Sequence, residues 1–233
     1  MNQWKNQYID LVNTRAGRLF PCVDGAFTPA ELEDFLGQIS SARELYLDLG
    51  CGSGELMLGL APQKPHALFV GVESRYKRAW RAIEKGEKRG IENVRAVRQD
   101  IHKFLPLLPP GLLDGLYVHF PDPWARPSWR KHRLISPEFL KRVTELLKPN
   151  GFFSFKSDHL EYFNFASKLI EACPGLRPVL SVSDLHNTEH AAGQVISEFE
   201  FLFKGKKQPV YYVIAQNLLA KPVSEQLRPA EAC

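Results

Sequence analysis

The sequence predicts an α/β fold with a doubly wound, mostly parallel sheet of seven strands. Short apolar segments alternate with helical patterns through the centre of the chain, which is the order expected of parallel strands and crossover helices. The chain has 233 residues, of which 44% are hydrophobic and 24% charged. This size and composition fit one enlarged globular domain and exclude disordered and fibrous chains. We assign the sheet domain to residues 44–217, a helical extension to residues 1–43 and a flexible tail to residues 218–233.

Local signals define the individual elements. Residues Thr28–Glu31 combine an N-cap, a proline in the first turn and a glutamate three residues after the cap, so a helix begins there. Ser136 and Pro137 indicate another helix start. This helix is predicted over Pro137–Leu147, and two further helices are predicted at Glu55–Ala61 and Tyr76–Gly90. The predicted strands are Glu44–Leu49, Ala67–Val72, Val94–Arg98, Leu112–Phe120, Gly151–Lys156, Val179–Val182 and Tyr211–Ala215.

The composition excludes several classes of protein. No apolar segment approaches the ~20 residues that span a bilayer. Residues Met1–Lys5 lack the apolar stretch of a signal peptide, which favours a cytoplasmic protein with no membrane partner. The four cysteines lie far apart without a CxxC pair, so we expect reduced thiols, no disulfide framework and no metal site. They are Cys22, Cys51, Cys173 and Cys233.

Positive charge is concentrated in two segments of the chain. The formal net charge is only +4, yet Arg75–Arg89 and Arg126–Lys148 each hold seven lysines or arginines against two glutamates. Basic patches of this kind attract polyanions such as nucleic acid. The alternative interpretation is that each basic segment is only the solvent-exposed face of a helix and binds no polyanion.

A glycine-rich turn follows the first predicted strand. Asp48 precedes Gly50, Gly52 and Gly54, and a predicted helix follows them. Because glycine has no Cβ atom, such a turn lets a ligand approach the backbone and its N–H groups closely. A dinucleotide-binding turn would carry glycine at position 55, where this chain has Glu55. The acidic residues on either side would repel a pyrophosphate and suit a ligand that carries an amine and a sulfonium.

Acidic residues also end the next two predicted strands. Glu73 lies about twenty residues beyond the glycines, where a carboxylate accepts hydrogen bonds from ribose hydroxyls. Asp100 lies where a side chain receives an adenine amino group. The alternative is that Asp48, Glu73 and Asp100 only cap helices or end strands. With the glycine turn, they make residues 44–160 resemble the class I S-adenosylmethionine-dependent methyltransferases, which implies a Rossmann-like fold and S-adenosylmethionine as cofactor.

A carboxylate between two prolines follows the fourth predicted strand. Asp122 stands between Pro121 and Pro123, which fix φ and stiffen the loop, so its carboxylate is a candidate catalytic group. Basic and aromatic residues alternate directly afterwards, a combination that neutralises phosphates and stacks bases. A solvated loop with buried tryptophans is the alternative. The residues of this run are Trp124, Arg126, Trp129, Arg130, Lys131, His132 and Arg133.

Together these motifs resemble the bacterial tRNA (guanine-N7-)-methyltransferase family. The similarity rests on Phe120–Trp124 with the basic run behind it, and on Leu147–Gly151, Ser157–Asp158 and Ser197–Glu200. The resemblance implies transfer of a methyl group from S-adenosylmethionine to N7 of a guanine in tRNA, at position 46 of the variable loop.

The motifs and the resemblance together give the candidate site residues. Asp122 is the candidate catalytic residue. The candidate cofactor-binding residues are Asp48, Gly50, Gly52, Gly54, Glu73, Asp100 and Asp122. The candidate substrate-binding residues are Asp158, Lys131, Arg133, Ser197 and Glu200. The last two also match the Ser-x-x-Glu capping box of a helix start.

Several interpretations stay open. The chain has Trp129 and His132 where the family usually has His and Arg, which favours, as an alternative, a methyltransferase of the same cofactor that acts on another RNA or on a small molecule. A non-catalytic RNA-binding relative is a further alternative. The expected partner is tRNA, bound by a monomer or by a homodimer.

Overall fold

The computed structural model describes residues 8, 11, 13–20 and 26–218 of the chain. Eight strands lie within these ranges. They are β1 (Leu19–Phe20), β2 (Glu44–Leu49), β3 (Ala67–Val72), β4 (Val94–Val97), β5 (Leu113–His119), β6 (Leu147–Ser157), β7 (Leu176–Val182) and β8 (Tyr211–Asn217). The α-helices within residues 26–218 are α1 (Pro29–Ser41), α2 (Glu55–Leu60), α3 (Tyr76–Lys88), α4 (Ile101–Phe104), α5 (Pro137–Leu146), α6 (Leu160–Ala172) and α7 (Glu198–Gly205).

The chain divides into two compact units. The first unit holds residues up to 107 together with residues 192–206, and the second holds residues 108–191 and those from 207 onward. The strand order is β1-β4-β3-β2 in the first unit, where every pair is parallel. In the second unit the order is β5-β6-β8-β7, with β5 and β6 parallel and β8 antiparallel to both of its neighbours. The predicted α/β class with a mostly parallel sheet is confirmed.

Helix α1 of the first unit begins where the sequence predicts. Thr28 Oγ1 accepts a hydrogen bond from the Glu31 N–H at 3.2 Å, and Glu31 Oε2 accepts one from the Thr28 N–H at 2.9 Å. This capping box satisfies two backbone donors that the first helical turn leaves without partners. The helix then buries Phe35 and Ile39.

Helix α3 has one buried face and one basic face. Ala79, Ala82, Ile83 and Gly86 are buried at the spacing of one helix stripe. The small residues among them bring α3 close to β4 and α2, because a Cβ at Gly86 would lie 3.0 Å from a methyl of Val94 and 3.3 Å from a methyl of Leu58. The lysines and arginines of the segment are thereby left on the opposite, more exposed face.

The second unit packs aromatic side chains between its helices and β6. Ser136 caps α5 by accepting a hydrogen bond from the Phe139 N–H at 3.1 Å. Phe139 packs edge-to-face on the fully buried Phe153, with ring centroids 6.2 Å apart. Phe155, on the same strand, packs on Tyr162 of α6 at 5.6 Å. Both helices therefore cover β6.

Beyond shifts of one or two residues at the ends of β4, β5 and β8, three strands differ from the sequence predictions. The two-residue strand β1 pairs with β4 and was not predicted, because two residues are too short to show periodicity. Strand β6 begins at Leu147 rather than Gly151, although Asn150 has a positive φ of 65°. Strand β7 begins at Leu176 rather than Val179, and its pairing with β8 shifts register at Pro178, which has no N–H to donate.

Other predictions fall partly outside the described residues. Cys51 and Cys173 are free thiols, whereas Cys22 and Cys233 lie outside the ranges that the structure describes. The same holds for the tail beyond Leu218, and the assigned boundaries of the sheet domain stay a prediction. No helix in the described part of the chain has the length and apolar character needed to span a bilayer.

Candidate functional site

The glycine turn of the first unit is fixed by backbone hydrogen bonds and by φ angles that favour glycine. The N–H groups of Gly50 and Cys51 both donate to the Val72 carbonyl of β3, at 2.8 and 3.1 Å. Gly50, Gly52 and Gly54 have φ values of 79°, 57° and 82°. Only glycine adopts this left-handed region without strain. The chain can therefore turn sharply from β2 into α2 at this point.

The turn combines one closely packed glycine with one open glycine. A Cβ added at Gly54 would lie 2.8 Å from the Cβ of Ala82 on α3, which is closer than two carbon atoms pack. A Cβ added at Gly50 would meet nothing within 4 Å. The backbone at Gly50 is consequently accessible to a ligand, whereas Gly54 is needed for packing.

Asp48 is a buried carboxylate beside this turn. It is 6% exposed, and none of the described residues gives it a hydrogen bond or an ion pair. Burial, with a smaller contribution from the negative charge of Glu73, raises the pKa of Asp48 to about 7. A buried acceptor without a partner is destabilising unless a ligand supplies donors. A cationic amine fits this position.

The thiol of Cys51 is held in its neutral form by the same surroundings. Burial and the charges of Asp48 and Glu73 raise the pKa of Cys51 well above its ordinary value. A thiol that keeps its proton is a poor nucleophile. Cys51 is thus a packing residue, and a Cβ at the facing Gly71 would lie 2.6 Å from its Sγ.

Glu73 has one oxygen engaged and one available. Its Oε1 accepts hydrogen bonds from the Arg75 N–H at 2.8 Å and from the Ser74 hydroxyl at 3.4 Å. Within the described residues, Oε2 accepts none. The residue is 9% exposed, so the second oxygen remains an acceptor that suits a ribose hydroxyl.

Asp100 is a helix cap, as the alternative interpretation expects. Its Oδ1 accepts hydrogen bonds from the N–H groups of His102 and Lys103, at 2.9 and 3.3 Å, and so begins α4. The side chain is exposed, and its second oxygen has no partner in the described ranges. Capping and ligand binding are compatible for this carboxylate, and the cofactor role stays a prediction.

Glu55 differs from the role that the sequence suggests. Lys85 donates to its Oε1 at 2.7 Å and Arg89 to its Oε2 at 3.1 Å. Burial alone would raise the pKa of Glu55, but the hydrogen bonds from Lys85 and Arg89 hold it below its ordinary value. The charge of Glu55 is therefore neutralised within the unit, so the argument that it repels a pyrophosphate is wrong.

Ser197 caps α7, the last helix of the first unit. Its Oγ accepts a hydrogen bond from the Glu200 N–H at 3.2 Å, which confirms the hydroxyl half of the predicted capping box. Glu200 is completely buried. Sequence reasoning missed a second polar link of α7, in which the Ser53 hydroxyl donates to Glu198 Oε2 at 3.0 Å. This contact joins the glycine turn to α7.

In the second unit, the proline-bracketed loop is anchored at both ends. The Phe120 N–H donates to the Lys156 carbonyl at 2.9 Å, and Arg133 Nε donates to the Pro123 carbonyl at 2.8 Å. Phe120 and Trp124 have positive φ values of 54° and 43°, which non-glycine residues adopt at some cost in energy. Between these anchors, Asp122 is exposed and makes no hydrogen bond to any described residue. Its carboxylate is free to accept one from a substrate.

Arg133 is a buried residue rather than an exposed cation. Its side chain is 2% exposed and forms a bidentate pair with Glu161, at 3.2 and 2.8 Å. The guanidinium also lies over the rings of Tyr162 and Phe165, at 4.8 and 5.2 Å. The contacts that the structure gives Arg133 are thus with the loop and α6, and direct substrate contact stays a prediction. Lys131 is exposed and has no ion pair within residues 26–218.

Asp158 follows the end of β6. The preceding Ser157 shapes the turn, because its Oγ accepts a hydrogen bond from the His159 N–H at 3.1 Å. Asp158 is half-buried and has no hydrogen-bond partner among the residues that the structure describes. It is therefore a second free carboxylate in this unit.

The tryptophans of the basic run form a small aromatic cluster. Trp124 lies edge-to-face with Trp129, at 6.0 Å between ring centroids, and 5.4 Å from the ring of His132. The guanidinium of Arg126 stacks on Trp129 at 4.5 Å. Trp129 is 42% exposed, so the alternative of buried tryptophans is wrong for this residue. An exposed ring beside arginines suits base stacking.

Comparison with known sequences gives one family and many named relatives. Residues 42–213 match the family Methyltransf_4, described as "Putative methyltransferase". The tRNA (guanine-N(7)-)-methyltransferase of Lachnoclostridium phytofermentans is 31% identical over 172 residues, covering 73% of this chain and 79% of the relative. That of Rubrobacter xylanophilus is 39% identical over 129 residues, covering 55% and 58%.

Another relative is much longer than this chain. The bifunctional glycosyltransferase/methyltransferase of Fusobacterium nucleatum is 33% identical over 163 residues, which is 70% of this chain but 25% of the relative. Among solved structures, the 16S rRNA methyltransferase KamB superposes with a TM-score of 0.59 at 18% identity, over 82% of this chain and 94% of KamB. At this identity the likeness concerns the fold alone, and it agrees with the α/β class.

Proposed function

The chain belongs to the Methyltransf_4 family of methyltransferases, and from this premise we propose that it methylates N7 of a guanine in tRNA with S-adenosylmethionine as the donor. The proposed target is the guanine at position 46 of the variable loop. Relatives named tRNA (guanine-N(7)-)-methyltransferase, at 28–39% identity, support the tRNA substrate. The observation that carries the proposal is the carboxylate of Asp122, free to accept hydrogen bonds on a loop anchored at both ends.

The first unit is proposed to bind the cofactor. Asp48 would accept hydrogen bonds from the amine, because it is buried and lacks a partner among the described residues. The open backbone at Gly50 would contact the ligand, with Gly52 and Gly54 shaping the turn. The free oxygen of Glu73 would accept hydrogen bonds from the ribose hydroxyls. Asp100 would accept a hydrogen bond from the adenine amino group.

The proposed reaction needs positioning more than proton transfer. S-adenosylmethionine supplies a methyl group activated by its sulfonium. Guanine N7 carries an in-plane lone pair and no proton, so the protein needs no general base. The rate then depends on holding N7 in line with the reacting bond at about 3 Å. A stiff loop serves this purpose better than a mobile one.

The second unit is proposed to hold the guanine. Its Watson–Crick edge presents two neighbouring donors, N1–H and the exocyclic amine, and a carboxylate is the matching acceptor. Asp122 and Asp158 are the two candidates, since each has free oxygens in the described structure. A carboxylate also stabilises the positive charge that the ring acquires on methylation. Asp122 is the proposed catalytic residue and Asp158 the proposed substrate-binding residue.

Basic residues of the second unit are proposed to bind the tRNA backbone. Lys131 is exposed and unpaired within the described ranges, and Arg126 and Trp129 offer a cation stacked on an exposed ring. Arg133 would act by positioning the loop.

Ser197 and Glu200, in the first unit, stay proposed substrate-binding residues. The backbone N–H of Glu200 already donates a hydrogen bond to the Ser197 hydroxyl.

A second candidate function keeps the cofactor and changes the acceptor. The family usually has His and Arg where this chain has Trp129 and His132, and both rings contact Trp124. An aromatic cluster at these positions favours another RNA whose unpaired base stacks there.

The test is a transfer assay with labelled S-adenosylmethionine and unmodified bulk tRNA, followed by digestion to nucleosides. The proposed function predicts labelled 7-methylguanosine, and a transcript with adenine at position 46 should accept no label. Label in a different nucleoside, or transfer only to another RNA, would establish the second candidate. A protein that binds tRNA but shows no cofactor binding by calorimetry would be a non-catalytic relative.

A further inference from the structure

We propose that the first unit carries an RNA-binding surface of its own, made by residues 75–81 and 199–206, which we call the α3–α7 surface. The proposal rests on the proposed function, since its occupant is the tRNA substrate: phosphates on the cations of α3 and an unpaired base on the aromatic side chains of α7. The basic segment of α3 is evident from the sequence, but no sequence motif assigns a role to the exposed apolar side chains of α7.

The cations at the start of α3 differ from those at its end. Near the end, Lys85 and Arg89 pair with Glu55, and Lys88 pairs with Glu84. At the start, four cations form no ion pair with any residue in the described ranges. They are Arg75, Lys77, Arg78 and Arg81. This part of the basic segment therefore keeps its positive charge available for a polyanion.

Helix α7 exposes apolar side chains next to lysines. Phe201 is 71% exposed, Leu202 51% and Phe199 38%. The helix ends in two exposed cations, Lys204 and Lys206. Interfaces between protein chains are depleted in lysine, whereas grooves for unpaired nucleic acid combine lysines with stacking aromatic rings. The charge of this helix end thus favours RNA over a second copy of the chain.

The two halves of the surface are held together by named contacts. Lys85 Nζ of α3 donates to the Ser53 hydroxyl at 2.9 Å, and that hydroxyl donates to Glu198 of α7 at 3.0 Å. The guanidinium of Arg78 lies 5.4 Å from the ring centroid of Phe199, within the range of a cation–π contact. Arg78 and Phe199 therefore adjoin each other, and this contact joins the cations at the start of α3 to α7.

Phe201 provides a direct test of base stacking. Binding of unmodified tRNA to the full chain is measured by fluorescence anisotropy for Phe201→Ala, Phe201→Leu and Phe201→Tyr. Leucine keeps the apolar character and loses the ring, whereas tyrosine keeps the ring. We expect Kd to rise about tenfold for the alanine and leucine variants and to stay within about twofold for tyrosine. Val179→Ala, a change at an exposed apolar residue of β7, should leave Kd unchanged.

The cations are tested by the salt dependence of the same binding. In the triple variant Arg75→Gln, Lys77→Gln, Arg81→Gln, the slope of log Kd against log salt should fall by about 2, because each lost contact with single-stranded phosphate lowers it by about 0.7. Lys168→Gln, at an exposed position of α6, should leave the slope unchanged.

The outcomes separate this inference from the proposed function. All these variants could bind tRNA with the Kd and the salt slope of the wild type and still form 7-methylguanosine. That result would overturn the proposed role of the α3–α7 surface and leave the proposed function intact. A dimer that Phe201→Ala dissociates and Phe201→Leu retains, with tRNA affinity unchanged, would assign the surface to a second copy and overturn the inference. Absence of 7-methylguanosine together with ring-dependent RNA binding would support the surface and contradict the proposed function.

Discussion

Arg133 donates from its Nε to the Pro123 carbonyl at 2.8 Å and so joins the basic run to the proline-bracketed loop. The same guanidinium pairs with Glu161 through its other two nitrogens. One buried side chain thereby fixes the loop that carries Asp122 against α6. The planar, multidentate geometry needed for three such bonds is specific to arginine.

Replacing Arg133 should impair methyl transfer through the loop. Lysine has one nitrogen and no planar fork, so Arg133→Lys cannot hold Pro123 and Glu161 together. We expect kcat to fall at least tenfold, with cofactor affinity by calorimetry unchanged. Losing the charged hydrogen bond to the carbonyl should lower the free energy of unfolding by about 2 kcal/mol.

Glu161→Gln is the matched control for this change. It removes the ion pair and keeps the Arg133 hydrogen bond to Pro123, so kcat should stay close to that of the wild type. If both variants lose activity equally, the ion pair rather than the Pro123 contact is the important one. The hydrogen bond to Pro123 would then not be the contact that controls the loop.

The glycine turn could be predicted from sequence, whereas the role of Arg133 could not. Three glycines at fixed spacing after an apolar strand have few explanations, and positive φ is the physical reason for each of them. Arg133 instead lies among exposed cations in the sequence. Its partner Glu161 is 28 residues away, and nothing local distinguishes a buried arginine from a solvated one.

The strand predictions were correct where periodicity was strong and wrong where proline interrupted it. Strands β2 and β3 begin and end at the predicted residues, and β3 is a continuous apolar run. Pro149 and Pro178 lie inside β6 and β7, each before the residue at which the sequence predicts the strand to begin. At Pro178 the pairing with β8 accommodates the proline by a shift of register. That adjustment depends on the neighbouring strand and cannot be read from one segment.

Two glycines of the same turn should respond differently to alanine. Gly50→Ala meets no atom within 4 Å and pays only for its positive φ, so we expect a loss of about 1–2 kcal/mol in the free energy of unfolding. Gly54→Ala adds the overlap with Ala82 at 2.8 Å, which brings a further loss of about 1–3 kcal/mol. Urea denaturation measures both. Equal losses would mean that α3 moves away without cost.

The effect of Gly50→Ala on cofactor binding is a second test of the glycine turn. Because Gly50 has open space beside it, its alanine variant should bind S-adenosylmethionine more weakly while it remains folded at room temperature. Calorimetric titration measures this effect. Undiminished affinity in Gly50→Ala would place the ligand elsewhere than at this backbone.

Asp122→Asn should abolish transfer without destabilising the protein. The carboxylate is exposed and unpaired within the described structure, so its loss removes no folding interaction. An amide presents a donor to the guanine edge in place of an acceptor, and we expect kcat to fall about 100-fold or more. Cofactor affinity should not change. Glu171→Gln, at an exposed position of α6, controls for the loss of one negative charge, and similar activity in both variants would exclude Asp122 from the reaction.

Asp48 should make stability depend on pH in an unusual direction. Burial and the charge of Glu73 raise its pKa to about 7 in the folded protein, whereas the unfolded value is about 4. Between these pH values Asp48 is protonated in the folded state and ionised in the unfolded state. Proton binding by Asp48 therefore stabilises the folded protein in full below about pH 4, and this stabilisation is lost as pH rises to about 7. Asp48→Asn removes the effect, because asparagine stays neutral.

The expected signature is a difference that grows with pH. The free energy of unfolding of Asp48→Asn minus that of the wild type should be near zero at pH 4 and rise by up to about 4 kcal/mol above pH 7, since three pKa units are involved. Other carboxylates titrate in both proteins and cancel. Urea denaturation at several pH values gives the difference directly. A constant difference from pH 4 to pH 8 would mean that Asp48 is ionised throughout, and hence already paired with a donor in the folded protein.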